Sequence, residues 1–402
     1  MALYLYDDLK ARQLEPFALT RPASELRAGA LLVRERWERV TGLASAGFIG
    51  AAHLADFEEA GAPPAVDPDA EIPAGAVIAN SRFIAPLDLS PGQFDTLMSG
   101  GGACAVRLAR DLPVKQLLDG SADLGSLQTS FGGRKIHGRW MNDVWDYIAT
   151  LTDQLAEDIP VLGQASTEVK LAKGAKAATI GDGQVFIDKG AKIAPYVVFD
   201  TTAGPILIER GTSIYPFTRL IGPMYVGRDS HVMGDRVGGC SIGAMSKIRG
   251  EISNSIVLGY SNKGHEGFVG HSYVGRWVNL GALTTTSNLK NTYGTAKVWT
   301  PAGLRDSGQQ LLGTFFGDHV KTGIGTMLST ATLIGAGSNI FGTHTPPKSV
   351  APFSWGDGEP YQDYDVEKFL VTAERAMHRR EVTLSSKCRS QLLASHGVRW
   401  KV

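Results

Sequence analysis

A six-residue spacing of apolar side chains is the feature that most constrains the fold of this chain. A period of six matches neither the 3.6 residues of a helical turn nor the two-residue alternation of a flat strand. It is typical of a hexapeptide β-helix, in which three steps, about 18 residues, complete one triangular coil. We therefore predict a parallel β-solenoid with these apolar side chains in its interior. The series runs through Ile208, Ile214, Leu220, Val226 and Val232, then in a shifted phase Phe268, Val274 and Leu280, and then Leu328, Ile334 and Ile340.

The composition narrows the class of protein. A chain of 402 residues suggests two domains, and its 48 glycines suit a fold with many corners. Because 40 basic residues balance 40 acidic ones, no global charge favours nucleic acid or an acidic membrane as a partner. No apolar run has the length of a membrane span, and the N-terminus does not resemble a secretory leader. We therefore expect a cytoplasmic protein.

The cysteines support the same expectation. Cys104, Cys240 and Cys388 are far apart in the sequence and form no CxxC motif. This spacing argues for a reducing compartment and against a disulfide or zinc framework. A metal site on the solenoid is not expected either. His265 and His271 would lie on neighbouring faces, and no third histidine completes a ligand set at coil spacing.

Four segments are predicted along the chain. The sequence separates a mixed α/β part, a helical linker, the solenoid and a helical extension. The six-residue phase is lost near residues 291–316, which predicts an external loop, and long loops on a rigid scaffold are often functional. The predicted boundaries are 1–139 for a short α/β domain, 140–160 for the linker helix, 161–346 for the β-helix and 347–402 for the C-terminal extension.

Three stretches have helical spacing of apolar residues. The first covers 28–40, and the second covers 140–159 and should end at Pro160, because proline disfavours a continuing helix. The third covers 365–380, and its basic C-terminal residues suit the helix dipole. We expect this last helix to pack on the solenoid as a lid.

The regular phase of the solenoid breaks within the sequence NKGHEGFVG, residues 262–270. His265 lies in this break, so it is not simply another interior residue of the stack. From the residues alone, a histidine here is a solvated corner, a hydrogen-bonding core residue or a functional group.

The same region carries a resemblance to a known family. Residues 263–282 resemble the active region of the glucosamine-1-phosphate N-acetyltransferase half of the bifunctional enzyme that makes UDP-N-acetylglucosamine. The chain as a whole is more similar to a bacterial family of sugar nucleotidyltransferase/acyltransferase proteins, a variant of that enzyme. The segments that carry this similarity are TTAGP (201–205), GYSNKGH (259–265), SNLKNTYG (287–294), GDHVKTGIGTM (317–327) and FSWG (353–356).

The resemblance implies a left-handed parallel β-helix, usually trimeric, with acetyl-CoA bound in a groove between neighbouring prisms. The handedness follows from the resemblance alone, because parallel crossovers are otherwise right-handed. The implied reaction is acetyl-CoA-dependent N-acetylation of an amino-sugar phosphate similar to glucosamine 1-phosphate, as in UDP-N-acetylglucosamine biosynthesis. The implied partners are therefore this sugar phosphate, an acyl-CoA and two further copies of the chain.

The resemblance also assigns roles to residues. N-acetyl transfer needs a base for the amine, and by similarity His265 is that base, with Glu266 or a backbone carbonyl orienting its ring. The implied substrate-binding residues are Asn262, Lys263, Phe268, Asn279, Arg219, Arg249 and Tyr293. The implied cofactor-binding residues are Ala282, Asn288, Lys321, Thr322 and Gly323.

Several positions depart from the family pattern. Phe268 and Leu289 replace tyrosines of the better-known relative, and Leu283 stands where a glycine is expected. The lysine that the family pattern places about four steps of the coil before His265 has no clear counterpart, since the matching region reads Ser253-Asn254-Ser255. The sequence therefore predicts the type of reaction more firmly than it predicts the substrate.

The N-terminal part resembles a reduced nucleotidyltransferase domain through residues 19–29, Trp37 and residues 80–83. It lacks the glycine-rich loop that cradles phosphates, and Ala23 follows Arg21-Pro22 where a lysine is normal. Nucleotidyl transfer, with Mg²⁺ as cofactor, therefore stays open beside a degenerate domain that caps the prism. The residues of a possible reduced nucleotide site are Asp7, Arg21, Arg27 and Arg82.

Three functional hypotheses remain open at the level of the sequence. The first is an acetyl-CoA-dependent N-acetyltransferase. The second is a sugar-1-phosphate nucleotidyltransferase that uses the β-helix as a scaffold. The third is a non-catalytic binding or structural protein.

Overall fold

The computed structural model describes residues 1–90, 92, 94–127, 133–164, 177–358 and 360–401. The chain divides into two compact units. The first comprises Met1–Val144 and Ser385–Val398, and the second comprises Trp145–Leu384 and Arg399–Val402. The second unit contains a parallel β-solenoid of about ten turns, which confirms the predicted fold class. Its left-handedness stays a prediction.

A six-stranded sheet forms the centre of the first unit. Its strands are β1 (Leu3–Tyr6), β2 (Ser45–Ile49), β3 (Val77–Asn80), β4 (Thr96–Ser99), β5 (Gly102–Arg107) and β6 (Arg134–Lys135), in the order β6-β4-β5-β3-β1-β2. Strand β1 is parallel to β2 and β3, whereas β5 is antiparallel to both β3 and β4. The carboxyl ends of β1, β2 and β3 therefore share one edge, which is where α/β sheets usually bind ligands.

Five α-helices occur among the described residues. They are α1 (Val33–Thr41), α2 (Asp146–Ala149), α3 (Leu151–Gly163), α4 (Val366–His378) and α5 (Ser386–Val398). Helices α1 and α5 belong to the first unit, where the Ser395 hydroxyl of α5 donates to the Leu19 carbonyl at 2.7 Å. The predicted helix 28–40 is observed as α1 and begins later than expected, because Arg27–Ala28 and Leu31–Leu32 pair as a short antiparallel ribbon.

The helix predicted for 140–159 differs at both ends. Its expected first turn is extended instead, because Arg139–Trp140 pairs antiparallel with Phe83–Ile84. At the other end α3 continues through Pro160 to Gly163. A proline removes only one backbone donor, and the buried Leu155 and Ile159 keep this helix packed.

Three faces build the solenoid. The strands of each face pair in parallel with those of the coils before and after. The first face contains Ala178–Ile180, Val198–Asp200, Thr218–Ile221, Asp235–Gly238, Ile252–Ser253 and Val269–Gly270, and the pair Thr285–Thr286 and Met327–Leu328 follows it in the chain. The second contains Val185–Ile187, Ile206–Ile208, Met224–Val226, Ser241–Ile242, Ile256–Gly259, Tyr273–Arg276, Phe315–Phe316, Leu333–Ile334 and Ser349–Val350. The third face begins with Lys192–Ile193, Ser213–Ile214, His231–Val232, Lys247–Ile248 and Asn262–Lys263. Bridges from Asn279 to Asn262 and Lys321 connect this set to the strands Lys321–Thr322, Asn339–Ile340 and Ser354–Gly356. Gln362–Asp363 pairs antiparallel at the edge of this face.

The apolar series predicted from the sequence fills the interior of the prism, with one exception. Ile214, Val232 and Ile340, for example, are buried in one continuous core. Phe268 is the exception, because Val269 takes the inward position and Phe268 is only partly buried. The interior residues Val269 and Val274 are five residues apart instead of six, so the prediction that Phe268 belongs to the interior series is wrong.

Close stacking of the coils predicts a stability effect at Gly243. A Cβ atom added there would lie 2.2 Å from the Leu258 carbonyl oxygen. The backbone cannot withdraw without weakening the 2.7 Å hydrogen bond from Gly243 N–H to the Val257 carbonyl. We expect Gly243→Ala to lower the free energy of unfolding by about 1–3 kcal/mol, measured by urea denaturation. Gly294→Ala is the control, since its nearest neighbour would be 3.9 Å away; equal effects of the two changes would contradict this account.

The interruption predicted near 291–316 contains an antiparallel hairpin. Its strands are Lys297–Thr300 and Gly303–Asp306. The predicted helix 365–380 is observed as α4, whose N-cap Asp365 accepts a hydrogen bond from Lys368 N–H at 2.9 Å. Phe369 of α4 packs against Phe353 and His319 of the solenoid, with ring centroids 4.9 and 5.7 Å apart. Among the described residues, no helix is long and apolar enough to cross a bilayer.

Candidate functional site

His265 lies on an exposed loop of the solenoid. This His265 loop (residues 264–267) follows the third-face strand Asn262–Lys263 and precedes the first-face strand Val269–Gly270. The side chains of His265 and Glu266 are both exposed to solvent. The imidazole is therefore available to a ligand and does not belong to the interior core.

Lys263 supports this loop from inside the prism. It pairs with Ile248 in the parallel ladder and is only 4% exposed, so it occupies an interior position. Its ammonium donates to the backbone carbonyls of Arg249 (3.2 Å), Glu266 (3.1 Å) and His265. Burial lowers the pKa of Lys263 to about 8. All three ammonium protons are therefore engaged within the fold, where they tie the His265 and Glu266 carbonyls to the Arg249 carbonyl of the preceding coil.

Arg249 is paired rather than free beside the His265 loop. Its guanidinium lies 2.7 Å from Glu266 and 3.5 Å from Asp235. The Glu266 backbone N–H and then Arg249 hold the pKa of the Glu266 carboxyl below its usual value. A ligand phosphate at Arg249 would have to compete with these carboxylates.

Asn288 belongs to a hydrogen-bonded ladder with His271. The amide nitrogen of Asn288 lies 2.9 Å from His271 Nδ1, and that of Asn254 lies 3.2 Å from His271 Nε2. Burial lowers the pKa of His271. A Cβ atom added to Gly270 would lie 2.4 Å from the Phe268 ring and 2.9 Å from the Asn288 amide nitrogen. The structure therefore brings Phe268 and Asn288 together over Gly270, the residue before His271.

A second cluster of predicted site residues lies on the outer side of the third face and contains Asn262, Asn279 and Lys321. Bridges place them in one column, and Asn262 Nδ2 donates to Asn279 Oδ1 at 2.8 Å. They line a cavity of about 260 Å³, the α4 cavity, together with Tyr260 and Trp277. The opposite wall comes from α4 and the residues directly after it, through Arg375, Arg379 and Arg380. The sequence analysis related Arg379 and Arg380 only to the helix dipole and did not single out Arg375, so the place of these arginines at the cavity was missed.

The other residues predicted for the solenoid site lie apart from the α4 cavity. Arg219 forms a 2.5 Å ion pair with Asp200 on the first face, and Tyr293 is 68% exposed ahead of the hairpin. Thr322 points inward, with its hydroxyl 2.7 Å from that of Thr284. Ala282 and Gly323 engage backbone partners, Gly325 N–H and the Ile340 carbonyl, each at 2.8 Å.

The first unit has its own cavity, of about 350 Å³, at the carboxyl ends of β1 and β3. Arg82 lines it, forms a 2.7 Å ion pair with Asp8 and lies 4.5 Å from the centre of the Trp140 ring. Asn80 donates to Asp8 at 2.9 Å. Gly100 and Gly102 also border the cavity, although they lie too late in the sequence for a phosphate loop after β1. Asp8 and Trp140 were missed, although Asp8 closely follows the first strand.

Asp7, Arg21 and Arg27 do not line this cavity. The Asp7 carboxylate accepts from Ala23 N–H at 3.1 Å, and burial raises its pKa to about 6. Arg21 is buried and forms a 2.8 Å ion pair with Glu59. Arg27 is also buried and donates to the Ala30 carbonyl. Of the four residues predicted for a nucleotide site, only Arg82 borders the cavity.

The described residues of the two units form no evident divalent cation site. Within the described parts of the chain, no group of three His, Cys, Asp or Glu side chains is arranged to hold a metal ion. In the first-unit cavity, the Asp8 carboxylate is already engaged by Arg82 and Asn80. The carboxylates near β1 therefore do not fit a preformed Mg²⁺ site.

Comparison with known proteins relates the N-terminal region to transferases. Residues 3–167 match the model of the sugar nucleotidyl transferase family. This segment includes β1 to β6 and the residues of the first-unit cavity. A bifunctional sugar-1-phosphate nucleotidylyltransferase/acetyltransferase of Sulfurisphaera tokodaii is 34% identical over 91 residues, which cover 23% of this chain and 23% of the relative. The predicted resemblance to such transferases is thereby confirmed, over less than a quarter of that relative's length.

Two solved structures of AntD, an N-acyltransferase from Bacillus cereus, also match. Both are variants in complex with dTDP and coenzyme A. They are 11% and 13% identical, cover 53% and 52% of this chain and all of their own, and have TM-scores of 0.18 and 0.17. At such low TM-scores these structures carry no argument about the present fold or its ligands.

Proposed function

We propose that the protein is an acyl-CoA-dependent N-acyltransferase that modifies an amino-sugar phosphate similar to glucosamine 1-phosphate. The observation that carries the proposal is the His265 loop, in which an exposed imidazole stands on a backbone fixed by Lys263. A rigid backbone with a free imidazole is the arrangement that general-base catalysis needs. The match to the nucleotidylyltransferase/acetyltransferase relative supports a role in sugar-nucleotide metabolism.

The chemistry requires few groups. The imidazole of His265 removes a proton from the sugar amine as the nitrogen attacks the thioester carbonyl carbon. The C–S bond then breaks, the new amide C–N bond remains, and the proton passes to the departing CoA sulfur. Acetyl-CoA is the simplest donor. We further propose that the protein acts in the cytoplasm as a homotrimer in UDP-N-acetylglucosamine biosynthesis, with the donor bound between neighbouring prisms.

The test is acetyl-CoA turnover by the full chain, followed as release of free thiol. The acceptors are glucosamine 1-phosphate, a nucleotide-linked amino sugar and free glucosamine, each run beside its N-acetylated form as the blank. We expect turnover only with acceptors that have a free amine, and fastest turnover with a phosphorylated one. Absence of turnover with every acceptor, while the protein binds neither CoA nor a sugar nucleotide, would favour a non-catalytic binding protein.

Nucleotidyl transfer in the first unit is a second candidate. It is supported by the family match over residues 3–167 and by the cavity at the carboxyl ends of β1 and β3. Two carboxylates line this cavity among the described residues, and both are engaged: Asp8 by Arg82 and Asn80, and Asp123 by Gly125 N–H at 3.0 Å, which weighs against a preformed Mg²⁺ site. In this reaction a phosphate oxygen of the sugar 1-phosphate would attack the α-phosphorus of a nucleoside triphosphate, which forms the nucleotide sugar and breaks the bond to the departing pyrophosphate.

Arg82 gives this candidate a specific prediction. If the first unit transfers nucleotides, Arg82→Ala should slow pyrophosphate release at least tenfold, because it removes the cation of the cavity. Arg110→Ala is the control, since Arg110 is exposed and lies outside the cavity. No pyrophosphate release by the unaltered chain with Mg²⁺ present would exclude the candidate.

A further inference from the structure

We propose that the α4 cavity is a phosphate-binding site, in which arginines at the end of α4 and the third face of the solenoid hold the phosphate of a small ligand. The ligand is either a sugar phosphate or the phosphorylated end of a coenzyme, which share this chemistry. The inference goes beyond acyl transfer and does not depend on it. It rests on the charge, the unused hydrogen-bond donors and the size of the cavity.

The charge of the cavity is entirely positive. Arg375 and Arg379 are one helical turn apart, so both side chains project from the same side of α4. Arg380 follows directly and donates to the Met245 carbonyl at 3.4 Å. Lys321 contributes a fourth cation from the solenoid. No aspartate or glutamate is among the described residues that line the cavity.

The cationic groups have donors to spare. Among the described residues, the side chains of Arg375 and Arg379 have no hydrogen-bonding or ion-pair partner. Like charges one turn apart repel, so this pair lowers helix stability unless an anion lies between or beside them. Arginine forks match phosphate oxygens in a bidentate geometry. Both side chains are exposed and hydrated, and an anion bound between them would replace part of that water and relieve their mutual repulsion.

Lys321 points to the same conclusion from the opposite wall. Its ammonium donates to the Trp277 and His319 carbonyls, both at 2.9 Å, which uses two of its three protons. Burial lowers its pKa to about 7, and no acidic group acts against that effect. A bound phosphate would accept the third proton and supply the missing negative charge.

The neutral groups of the cavity suit a phosphate with a small attached group. Asn279 accepts from Asn262, so its own amide nitrogen remains a donor to a ligand. The rings of Tyr260 and Trp277, 4.6 Å apart, form an apolar wall. Ligand pockets for drug-sized molecules usually measure about 300–1,000 Å³, so a cavity of about 260 Å³ fits a phosphorylated monosaccharide better than a whole coenzyme.

Isothermal titration calorimetry with the full chain tests the proposal. The probes are glucosamine 1-phosphate, inorganic pyrophosphate and adenosine 3′,5′-bisphosphate, each at low salt, because screening weakens binding between charges. We expect at least one probe to bind with a Kd of about 1 mM or tighter. Tighter binding of the sugar phosphate identifies an acceptor site, and tighter binding of the bisphosphate identifies a coenzyme site. Failure of all three probes to bind would overturn the proposal.

Variants locate the binding. The double variant Arg375→Ala/Arg379→Ala should weaken binding by about tenfold or more, as expected for the loss of charge-assisted hydrogen bonds. Lys368→Ala is the matched control, because it removes one positive charge from an exposed position of α4 outside the cavity. Asn279→Asp places a carboxylate in the cavity and should also weaken binding. Unchanged binding in both the double variant and Asn279→Asp would overturn the proposal.

The outcome is separable from that of the proposed function. Arginine-dependent phosphate binding without acetyl-CoA turnover supports the phosphate site and contradicts the N-acyltransferase. Acetyl-CoA turnover that the double variant retains with unchanged KM for both substrates, together with unchanged phosphate binding, supports the enzyme and contradicts the site.

Discussion

Replacing His265 with alanine should lower acetyl-CoA turnover by about 10²–10⁴-fold, the usual contribution of a positioned general base. The reason is that His265 is the exposed imidazole on the His265 loop, and Lys263 holds the carbonyl groups of this loop in place. The effect should appear mainly in kcat, because the base acts on the bound amine during its attack. The measurement is thiol release at saturating acceptor concentration.

The loss of turnover in His265→Ala should not be accompanied by a loss of protein stability. The His265 side chain is exposed, and exposed substitutions usually alter stability by less than about 0.5 kcal/mol. The melting temperature of His265→Ala should therefore stay within about 2 °C of the unaltered protein. His378→Ala is the matched control, since His378 is an exposed histidine of α4 and should leave turnover intact. A loss of activity that follows a loss of stability, or equal loss in both variants, would argue against a catalytic His265.

The protein should become more stable between pH 7 and pH 9. Burial lowers the pKa of Lys321 to about 7 and that of Lys263 to about 8, from an ordinary value of 10.5. In this range the unfolded chain binds more protons than the folded chain, so the free energy of unfolding rises with pH. The gain in the free energy of unfolding is complete above 10.5, the pKa of the lysines in the unfolded chain, and it is lost as the pH falls through their pKa values in the folded protein. We expect an increase of about 1–2 kcal/mol, less than the shifts alone would imply because Lys321 is only partly buried.

Lys321→Met should reduce this pH dependence. Methionine has a similar length and no charge, so the variant should lose the contribution of Lys321 to the rise between pH 7 and pH 9. Urea denaturation at pH 7, 8 and 9 measures the slope, and Lys368→Met on the exposed side of α4 is the control. Above pH 9 the buried Cys104 and Cys240, whose pKa values burial raises to about 12, act in the opposite direction. A slope unchanged by Lys321→Met would show that the lysine is charged and hydrated in the folded protein.

Much of the solenoid could be predicted from the sequence, since each coil repeats a local pattern. Ile214, Val232 and Ile340 are interior residues because a side chain at every sixth position of such a coil points inward. The prediction was wrong at Phe268 because the interior residues Val269 and Val274 are five residues apart, so that counting six residues back from Val274 gives Phe268 instead of Val269. The interior position of Lys263 was also not predicted. A lysine usually lies at the surface, and the sequence does not show the backbone carbonyls that bind this ammonium inside the prism.

The candidate sites were predictable only in part. The broken phase indicated only that His265 need not be an interior residue, and the structure shows that it is exposed. Asn262 and Asn279 were predicted as substrate-binding residues, and the structure places them in one column of neighbouring coils. Arg82 was identified as a candidate, but its partners Asp8 and Trp140 come from distant segments. Charged residues such as Arg21 were predicted to bind a ligand and instead form an internal ion pair with Glu59, because the sequence does not reveal which charges pair within the fold.

The periodicity of the sequence is enough to specify a β-solenoid and to single out His265 between its regular stretches, because this pattern is local to each coil. The position of Arg375 and Arg379 opposite Asn279 and Lys321 across a cavity is specified only by the packing of the folded chain. That juxtaposition joins segments far apart in the chain, and it results from the packing of Phe369 on Phe353 and His319, which no local pattern specifies.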